Sequence, residues 1–268
     1  MRYSLIRYFY SQLFLVSLNE KGAFFKPLMF EFPYDKTSYE DIESKIMLGE
    51  ALLLCAFFDS DEKNKTFIFP NSNFNEFPSG NTILNYTNSS FSSSKRKKNL
   101  SGKLSELHLF MRGVYIIPTQ DTFDKYIMNT YYLLQEKINL IINPDHEGYS
   151  KGTIVYDNDE IETIEKNKFI RVNLEFKNKE LIVKVINTSD KNYLYQDNII
   201  NRIEIWRINE IVNINDIKNN SINLKYDLTE EKKQNINAKF DVINNKLIID
   251  FKENNKDINL FTLEKIYF

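Results

Sequence analysis

The chain has 268 residues, which at roughly 150 per domain argues for about two domains. Lys plus Arg total 35 against 37 Asp plus Glu, a net charge of −2, so the balance is not one that neutralises nucleic-acid phosphates or coats an anionic membrane. One cysteine excludes an intrachain disulfide and a thiolate zinc cage, two histidines exclude a three-histidine metal site, and seven glycines without GxGxxG or GxxxxGK spacing exclude the usual phosphate-cradling loops.

Residues 1–22 look superficially like a signal peptide, with Arg2 and Arg7 ahead of an apolar stretch around Leu13-Phe14-Leu15-Val16. Ser11 and Gln12 break the stretch, and Glu20-Lys21 stand where a small-residue cleavage site belongs. The spacing of Leu5, Ile6, Phe9, Leu13, Phe14 and Val16 predicts a helix instead. Tyr3, Tyr8 and Tyr10 make it apolar on nearly every side, the mark of a helix buried between other elements, and Gly22 is placed to end it. The longest apolar run, Ala51–Phe58, falls far short of the ~20 residues of a membrane span.

Ala23–Phe32 reads as an apolar strand punctuated by Pro27 and Pro33. Ser38 and Asp41 start a short helical stretch that Gly49 follows. Leu52–Phe58 is continuous enough for a buried strand, and Phe67–Phe69 is another, ended by Pro70. Residues 71–106 turn to Asn and Ser, with Lys95-Arg96-Lys97-Lys98 in their midst. No aromatic side chains interleave this basic tetrapeptide, so it reads as part of a solvated loop insertion over 81–103 rather than a nucleic-acid signal.

Past Leu107 the pattern is almost purely β. Ile170, Val172, Leu174 and Phe176 alternate with polar residues, Lys177–Glu180 turns, and Leu181, Val183 and Val185 return. Ala238, Phe240 and Val242 precede Asn244-Asn245, then Leu247, Ile249 and Phe251, a hairpin closed by residues that tolerate positive φ. Short strands with regular turns and few helices argue for antiparallel sandwiches.

Several segments then resemble one family in its own order. Arg2-Tyr3-Ser4-Leu5-Ile6-Arg7-Tyr8-Phe9-Tyr10, Gly22, and Lys26-Pro27-Leu28-Met29-Phe30-Glu31-Phe32-Pro33 with Asp35 are similar to the RYxLLPYLYT…G…RPLxxEFPxD pattern of glycoside hydrolase family 31. Met47 to Leu53 resembles its FLLGxALL segment, and Phe69-Pro70 with Asn73 to Phe77 and Gly80 its YLPxxxWYDFxxG segment. Leu107–Gln120 resembles LxVRGGYIIPxQ, Gly152–Glu160 stands at GxLxxDDGES, and Ile203-Glu204-Ile205-Trp206 is similar to a late strand of the maltase-glucoamylase and sucrase-isomaltase branch. The departures are Arg7 for a proline, Lys26 for an arginine, Ala56 for a proline, Val114 for a glycine and Asp159 for a glycine.

The resemblance implies a mainly β chain: one N-terminal helix, the last of a (β/α)8 barrel, and two antiparallel β-sandwiches. Residues 1–27 would be the barrel remnant, 28–118 the proximal sandwich and 119–268 the distal one. It implies a retaining α-glucosidase of which this is the C-terminal, structural part. Retention needs two carboxyl groups about 5–5.5 Å apart, and the family's aspartate motifs for them, of the WxDMNE and GDN kinds, are not in this sequence. The implied partners are the catalytic barrel and, through it, an α-glucan oligosaccharide, in a secretory, lysosomal or extracellular setting; no nucleic acid, membrane span or cofactor is expected. A freestanding glycan- or protein-binding β-sandwich module and the tail of an endoplasmic-reticulum glycoprotein-trimming glucosidase are the alternatives.

No catalytic, cofactor-binding or metal-ligating residue is nominated. Asp157, Asp159, Glu160 and Glu162 lack the glycine and bidentate glutamate of an EF-hand and read as a solvated turn. His108 reads as a strand-edge residue, His146 as part of a surface turn, and Cys55 as an inert buried thiol. Glu31 reads as one side of a rim salt bridge, and Trp206 as core rather than a sugar-stacking platform. Sequons stand at Asn64, Asn85, Asn88, Asn99, Asn187 and Asn219, several of them expected by chance in so Asn-rich a chain.

Overall fold

The computed structural model describes residues 1–58, 63–84, 96–102, 106–122, 125–157, 169–187, 198–208, 221–228, 234–241, 243–254 and 256–268. A 3-10 turn at Tyr3–Leu5 leads into α1, Ile6–Ser17. The helix stops at Asn19, not Gly22. Asn19 takes φ 58°, its N–H reaches Val16 O at 3.0 Å, and Glu20 N–H reaches Leu15 O at 3.1 Å, a Schellman motif in which asparagine supplies the left-handed residue. The orientation of α1 also departs from its composition. Arg7, Ser11 and Gln12 are buried beside Tyr8, Phe14 and Leu15, while Leu13 is 50% exposed.

The segment after α1 holds a short strand and a short helix where one long strand is expected: β1 (Phe25–Pro27) and α2 (Leu28–Glu31). Pro27 presets the φ of a helix entrance and removes the ladder donor that a continuing strand needs. The stretch from Ser38 to Gly49 is likewise not one helix. Two 3-10 turns, Lys36–Tyr39 and Ile42–Ser44, run into β2 (Lys45–Leu48). Then come β3 (Leu52–Cys55), β4 (Asn64–Ile68), β5 (Phe74–Glu76), β6 (Thr82–Leu84), β7 (Lys97–Ser101) and β8 (His108–Arg112). The Leu52–Phe58 run thus ends as strand at Cys55, and Phe58 is 74% exposed. The expected loop over 81–103 is in part strand, since β6 and β7 lie within it.

Six strands form an antiparallel sheet in the order β1-β2-β3-β8-β5-β6, and β4 pairs with β7 as a separate ribbon. The six-stranded sheet is covered on both faces. On one side Met47, Leu53, Cys55, Phe74 and Phe110 meet Phe67 and Phe69 from the ribbon side. On the other, Leu48, Leu52, Leu109 and Met111 meet Leu5 and Tyr8 of the N-terminal helical segment. A strand buried on both faces cannot alternate, which is why Leu52–Cys55 reads as a continuous apolar run.

The remaining strands are β9 (Tyr115–Gln120), β10 (Ile138–Asn143), β11 (Ser150–Asp157), β12 (Phe169–Lys177), β13 (Glu180–Asn187), β14 (Ile199–Trp206), β15 (Ser221–Leu228), β16 (Gln234–Asp241), β17 (Lys246–Asp250), β18 (Ile258–Asn259) and β19 (Leu263–Tyr267), with α3 (Thr130–Leu134) before β10. They run in the order β10-β9-β11-β12-β13-β19-β15-β16-β17-β14-β18, and a parallel β10–β14 pairing closes the sheet on itself. In place of two discrete facing sheets, the ladder is therefore continuous around a closed sheet. Residue 118 lies inside β9, and Gly113-Val114 join β8 of the six-stranded sheet to β9 of the closed one.

Period-two patterning carries through inside this sheet. Ile170, Val172, Leu174 and Phe176 are buried in one core with Leu181, Ala238, Phe240 and Ile249, although Val185 is 37% exposed. The β12–β13 turn has Asn178 and Lys179 at φ 53° and 63°, the two-residue geometry that Lys177–Glu180 suggests. The β16–β17 loop is longer than its asparagine pair implies. Asp241 pairs with Lys246, which leaves four residues between the strands, and the Asp241 carboxylate accepts hydrogen bonds from Asn244 N–H at 3.1 Å and Nδ2 at 2.7 Å. Val242 lies outside the described residues.

Helix α1 sits where the closed sheet opens a seam. β9 and β11 pair only at Lys151 and Tyr115, and Gly152 passes so near β9 that a Cβ there would overlap Ile116 O. Beyond that point Ser11 Oγ accepts the Val155 N–H at 3.0 Å while donating to Arg7 O at 2.8 Å. Tyr8 reaches the other sheet, donating to Leu48 O at 2.8 Å and accepting from Ala51 N–H at 3.1 Å. A Cβ on Gly49, at φ 65°, would lie 2.5 Å from the Tyr8 hydroxyl, so the turn between β2 and β3 admits only glycine.

Val114, where the resembled pattern has glycine, adopts φ 86°. Its N–H bonds Asn143 O at 2.8 Å and its carbonyl accepts from Lys151 N–H at 2.7 Å, which hold a β-branched residue in a region that excludes it elsewhere. Such strain costs on the order of 1–3 kcal/mol, against roughly 0.5–1 kcal/mol for the extra unfolded-state entropy of glycine. Val114→Gly is expected to raise the urea midpoint, by about 1 kcal/mol in stability. A lower midpoint would show that Val114 packing outweighs its backbone strain.

Candidate functional site

Two acid-centred clusters organise the first β unit. Pro33 and Tyr34 bring Asp35 to the cap of the Lys36–Tyr39 turn, where Oδ1 accepts Thr37 N–H at 3.1 Å and Thr37 Oγ1 at 2.8 Å. Oδ2 accepts Asn71 N–H at 2.9 Å and Arg96 Nη1 at 2.5 Å. Arg96 also donates to Phe69 O at 3.3 Å and is buried. The basic tetrapeptide is thus no solvated loop face where it is described. Arg96 plugs a carboxylate 61 residues away in sequence, and Lys97 and Lys98 lie on β7. Burial by itself raises the Asp35 carboxyl, but the hydrogen bonds from Thr37, Asn71 and Arg96 more than offset it and hold it below the ordinary carboxylate range.

The second cluster is Glu31, whose oxygens accept from Lys26 Nζ at 2.5 Å and Arg112 Nη1 at 3.2 Å. The Arg112 guanidinium lies 4.3 Å from the Phe32 ring centroid and 5.6 Å from that of Tyr115. Glu31 is a salt-bridge residue, as its position between two phenylalanines suggests. Around these clusters, on β1, α2 and the turns that follow, large apolar side chains face outward: Phe25 is 62% exposed, Phe30 66%, Tyr34 100% and Tyr39 50%. Such a display marks an interaction surface when it is continuous with ordered, ion-paired structure. Sequence reading places Phe25 and Phe30 in one strand, Ala23–Phe32, which Pro27 breaks.

The other singled-out residues are occupied structurally. Asp157 accepts from the Tyr10 hydroxyl and so tethers α1, while Asp159, Glu160 and Glu162 lie outside the described residues. His108 Nε2 lies 2.7 Å from Ser101 O with its ring against Phe57. His146 lies in the turn where Asp145 Oδ1 accepts the N–H groups of Glu147 and Tyr149. Cys55 is buried opposite Lys45, and burial pushes its thiol up, so it stays protonated and unreactive. Lys45 is itself buried, its ammonium donating to Ile68 O at 3.2 Å and Thr37 O at 3.4 Å, and burial lowers its pKa.

Trp206 is fully buried, its Nε1 donating to Glu204 at 3.2 Å beneath the Lys246 ammonium. No group of three or more His, Cys, Asp or Glu suited to a metal ion occurs among the described residues. A cavity of about 80 Å³ between α1 and the seam is bordered by Tyr8, Gln12, Lys21, Glu50, Tyr115 and Lys151, well below the roughly 300–1,000 Å³ of ordinary ligand pockets. Burial pushes the Tyr115 phenol to about 12, so it enters no proton chemistry near neutrality. An open depression of about 470 Å³ over β16 and β17 has its polar groups already joined, Lys239 to Glu253 at 2.5 Å and Asn254 Nδ2 to Asn237 O at 3.0 Å.

A six-stranded sheet entered through α1, followed by a closed β sheet, is the arrangement in which a known family's segments recur. Residues 22–117 match the glycosyl hydrolase family 31 C-terminal domain. Among its relatives, human probable maltase-glucoamylase 2 is 27% identical over 79% of this chain, and intestinal sucrase-isomaltase of Suncus murinus is 27% identical over 64%. The chain spans only 8% and 9% of those proteins. In three dimensions it superposes over its whole length on the crystal structure of glucosidase II alpha subunit in its Glc1Man2-bound form, with a TM-score of 0.78 at 14% identity, covering 28% of that chain. At that identity the likeness concerns fold.

Asp35 has a measurable signature. Its folded-state pKa is depressed, so its contribution to stability is complete above the unfolded value, about 3.9, and fades as pH falls through the folded value. Asp35→Asn is expected to flatten the acid limb of a pH–stability curve below about pH 4 and to lower stability near neutrality by about 3–5 kcal/mol, because it strands Arg96. An unchanged acid limb would show that other carboxylates set it.

Proposed function

We propose that the chain is the C-terminal part of a retaining α-glucosidase that releases terminal α-linked glucose from oligosaccharides, and that it acts there as structure, packed against the catalytic barrel. The exposed aromatic side chains of β1, α2 and the following turns carry this reading. Ion pairs through Glu31 and Asp35 hold the backbone beneath those side chains in place, and a surface so ordered and so apolar fits a neighbouring protein domain. The six-stranded sheet with the β4–β7 ribbon is read as the proximal β unit and the closed sheet as the distal one, with residues 1–27 as the last helix and exit strand of the barrel. Double displacement needs two carboxyl groups free to approach one anomeric centre. Here Glu31, Asp35 and Asp157 are each spent on a partner within the fold.

A second reading, the tail of an endoplasmic-reticulum glycoprotein-trimming glucosidase, is favoured by the full-length superposition on glucosidase II alpha subunit and by 23% identity over 58% of the chain with Saccharomyces cerevisiae glucosidase 2 subunit alpha. Either reading sets the protein in the secretory pathway. No helix among the described residues is long and apolar enough to cross a membrane.

Two measurements test the proposal. The purified chain is expected to hydrolyse neither maltose nor an aryl α-glucoside; activity abolished by Asp157→Asn would overturn the structural role. The chain alone is also expected to self-associate in light scattering, and Phe25→Ser with Phe30→Ser and Tyr34→Ser to reduce that association with the circular dichroism unchanged. Equal scattering by the triple variant would remove the docking surface from the argument.

A further inference from the structure

Two of the six sequons, Asn64-Lys65-Thr66 and Asn99-Leu100-Ser101, lie wholly on described strands, and those strands pair with each other. The register sets Asn64 opposite Ser101 and Thr66 opposite Asn99. Because side chains alternate, Asn64, Thr66, Asn99 and Ser101 share one face of the ribbon. The opposite face carries Phe67, fully buried, Leu100, packed on the same core, and Lys65, whose ammonium reaches Ser44 Oγ at 2.7 Å. The sequon face therefore points outward, with Asn64, Thr66 and Asn99 exposed.

The two asparagines also differ from others that the fold uses. Asn75 Nδ2 bonds Gly80 O at 2.8 Å, Asn143 Nδ2 bonds Met111 O at 3.0 Å, and Asn201 Nδ2 bonds Asp121 at 2.8 Å. The side-chain amides of Asn64 and Asn99 make no hydrogen bond among the described residues. In each sequon the hydroxyl two residues on stands on the same side of the strand as the acceptor amide, and the diagonal neighbours Asn64 and Asn99 are roughly 7–8 Å apart. Four residues from two separate sequence segments thus form one outward acceptor patch, in which Ser101 Oγ donates to Glu106 and Asn64, Thr66 and Asn99 make no side-chain hydrogen bond among the described residues. Among the described residues each strand of the ribbon also has one edge without a pairing strand, a template for pairing with another chain.

We propose that Asn64 and Asn99 are N-glycosylation sites and that their glycans cover the outer face of the β4–β7 ribbon. The inference rests on the secretory reading above. In the transfer step the side-chain amide nitrogen forms a bond to the anomeric carbon of a polyprenyl-diphosphate-linked oligosaccharide supplied by the host. The anomeric C–O bond to the diphosphate breaks, the diphosphate leaves with the bonding pair, and the amide proton passes to a base of the transferase. The bulky, solvated product masks the ribbon without disturbing the core side, which is anchored by Phe67 and Lys65.

The test expresses the full chain behind a cleavable secretory leader in a glycosylating eukaryotic host, then releases glycans with peptide N-glycosidase in heavy-oxygen water. Mass spectrometry is expected to find labelled aspartate at positions 64 and 99. Thr66→Ala is expected to abolish the first label and Ser101→Ala the second, each leaving its asparagine in place. Leader-cleaved protein with both positions unlabelled would overturn the assignment. The imposed leader makes that failure independent of the secretory reading, which fails separately if the natural full-length product fractionates with the cytosol. Asn64→Gln with Asn99→Gln is expected to self-associate more than the glycosylated chain; equal scattering would overturn the shielding role.

Discussion

The architecture depends on two hydroxyl groups of one helix. Tyr8 and Ser11 are three residues apart, on one face of α1, yet they bond strands of different sheets: Tyr8 the turn between β2 and β3, and Ser11 the β11 edge where the closed sheet has lost its partner. A buried backbone N–H left unpaired costs about 1–3 kcal/mol, so a seam in a closed sheet needs some donor-accepting group laid along it. A purely apolar helix could fill the volume but not accept the Val155 N–H. That requirement explains why the polar residues of this apolar helix are buried while Leu13 faces out.

The same economy governs the acids. Glu31 ends α2 and Asp35 caps the Lys36–Tyr39 turn, and each spends one carboxylate oxygen on a near neighbour, Lys26 or Thr37, and the other on donors from distant parts of the chain, Arg112 or Asn71 and Arg96. Their partners hold backbone in place and leave neither of these two carboxylates free for a substrate. What remains unsatisfied at this end of the molecule is apolar area, not polar chemistry. The polypeptide spans about a tenth of the maltase-glucoamylase and sucrase-isomaltase relatives it matches, and on the readings proposed above its role is a matter of which surfaces are covered, by a neighbouring domain at one place and by glycan at another.

Much of this was legible in the residues. Alternation in β12 and β13, the Lys177–Glu180 turn and the doubly buried run at Leu52 follow from local patterning, because side-chain period and turn chemistry act over a few residues. The segments quoted for glycoside hydrolase family 31 recur in their expected order. The departures from expectation have different causes. Gly22 gave way to Asn19 through a Schellman motif closed within residues 15–20, and the strand at 23–32 broke at Pro27, which lacks the ladder donor. The basic tetrapeptide supplied a buried arginine because a carboxylate 61 residues away required it.

Sequence by itself determined the β class and carried the resemblance to glycoside hydrolase family 31, since both depend on which residues are present and how closely they are spaced. Only the tertiary structure decided that β9 belongs to the second sheet, that β14 closes that sheet beside β10, that Arg96 serves Asp35, and that two sequons form one patch. Those are pairings across tens of residues, set by the burial of both sheet faces at once. No local pattern encodes which distant strand will supply the partner.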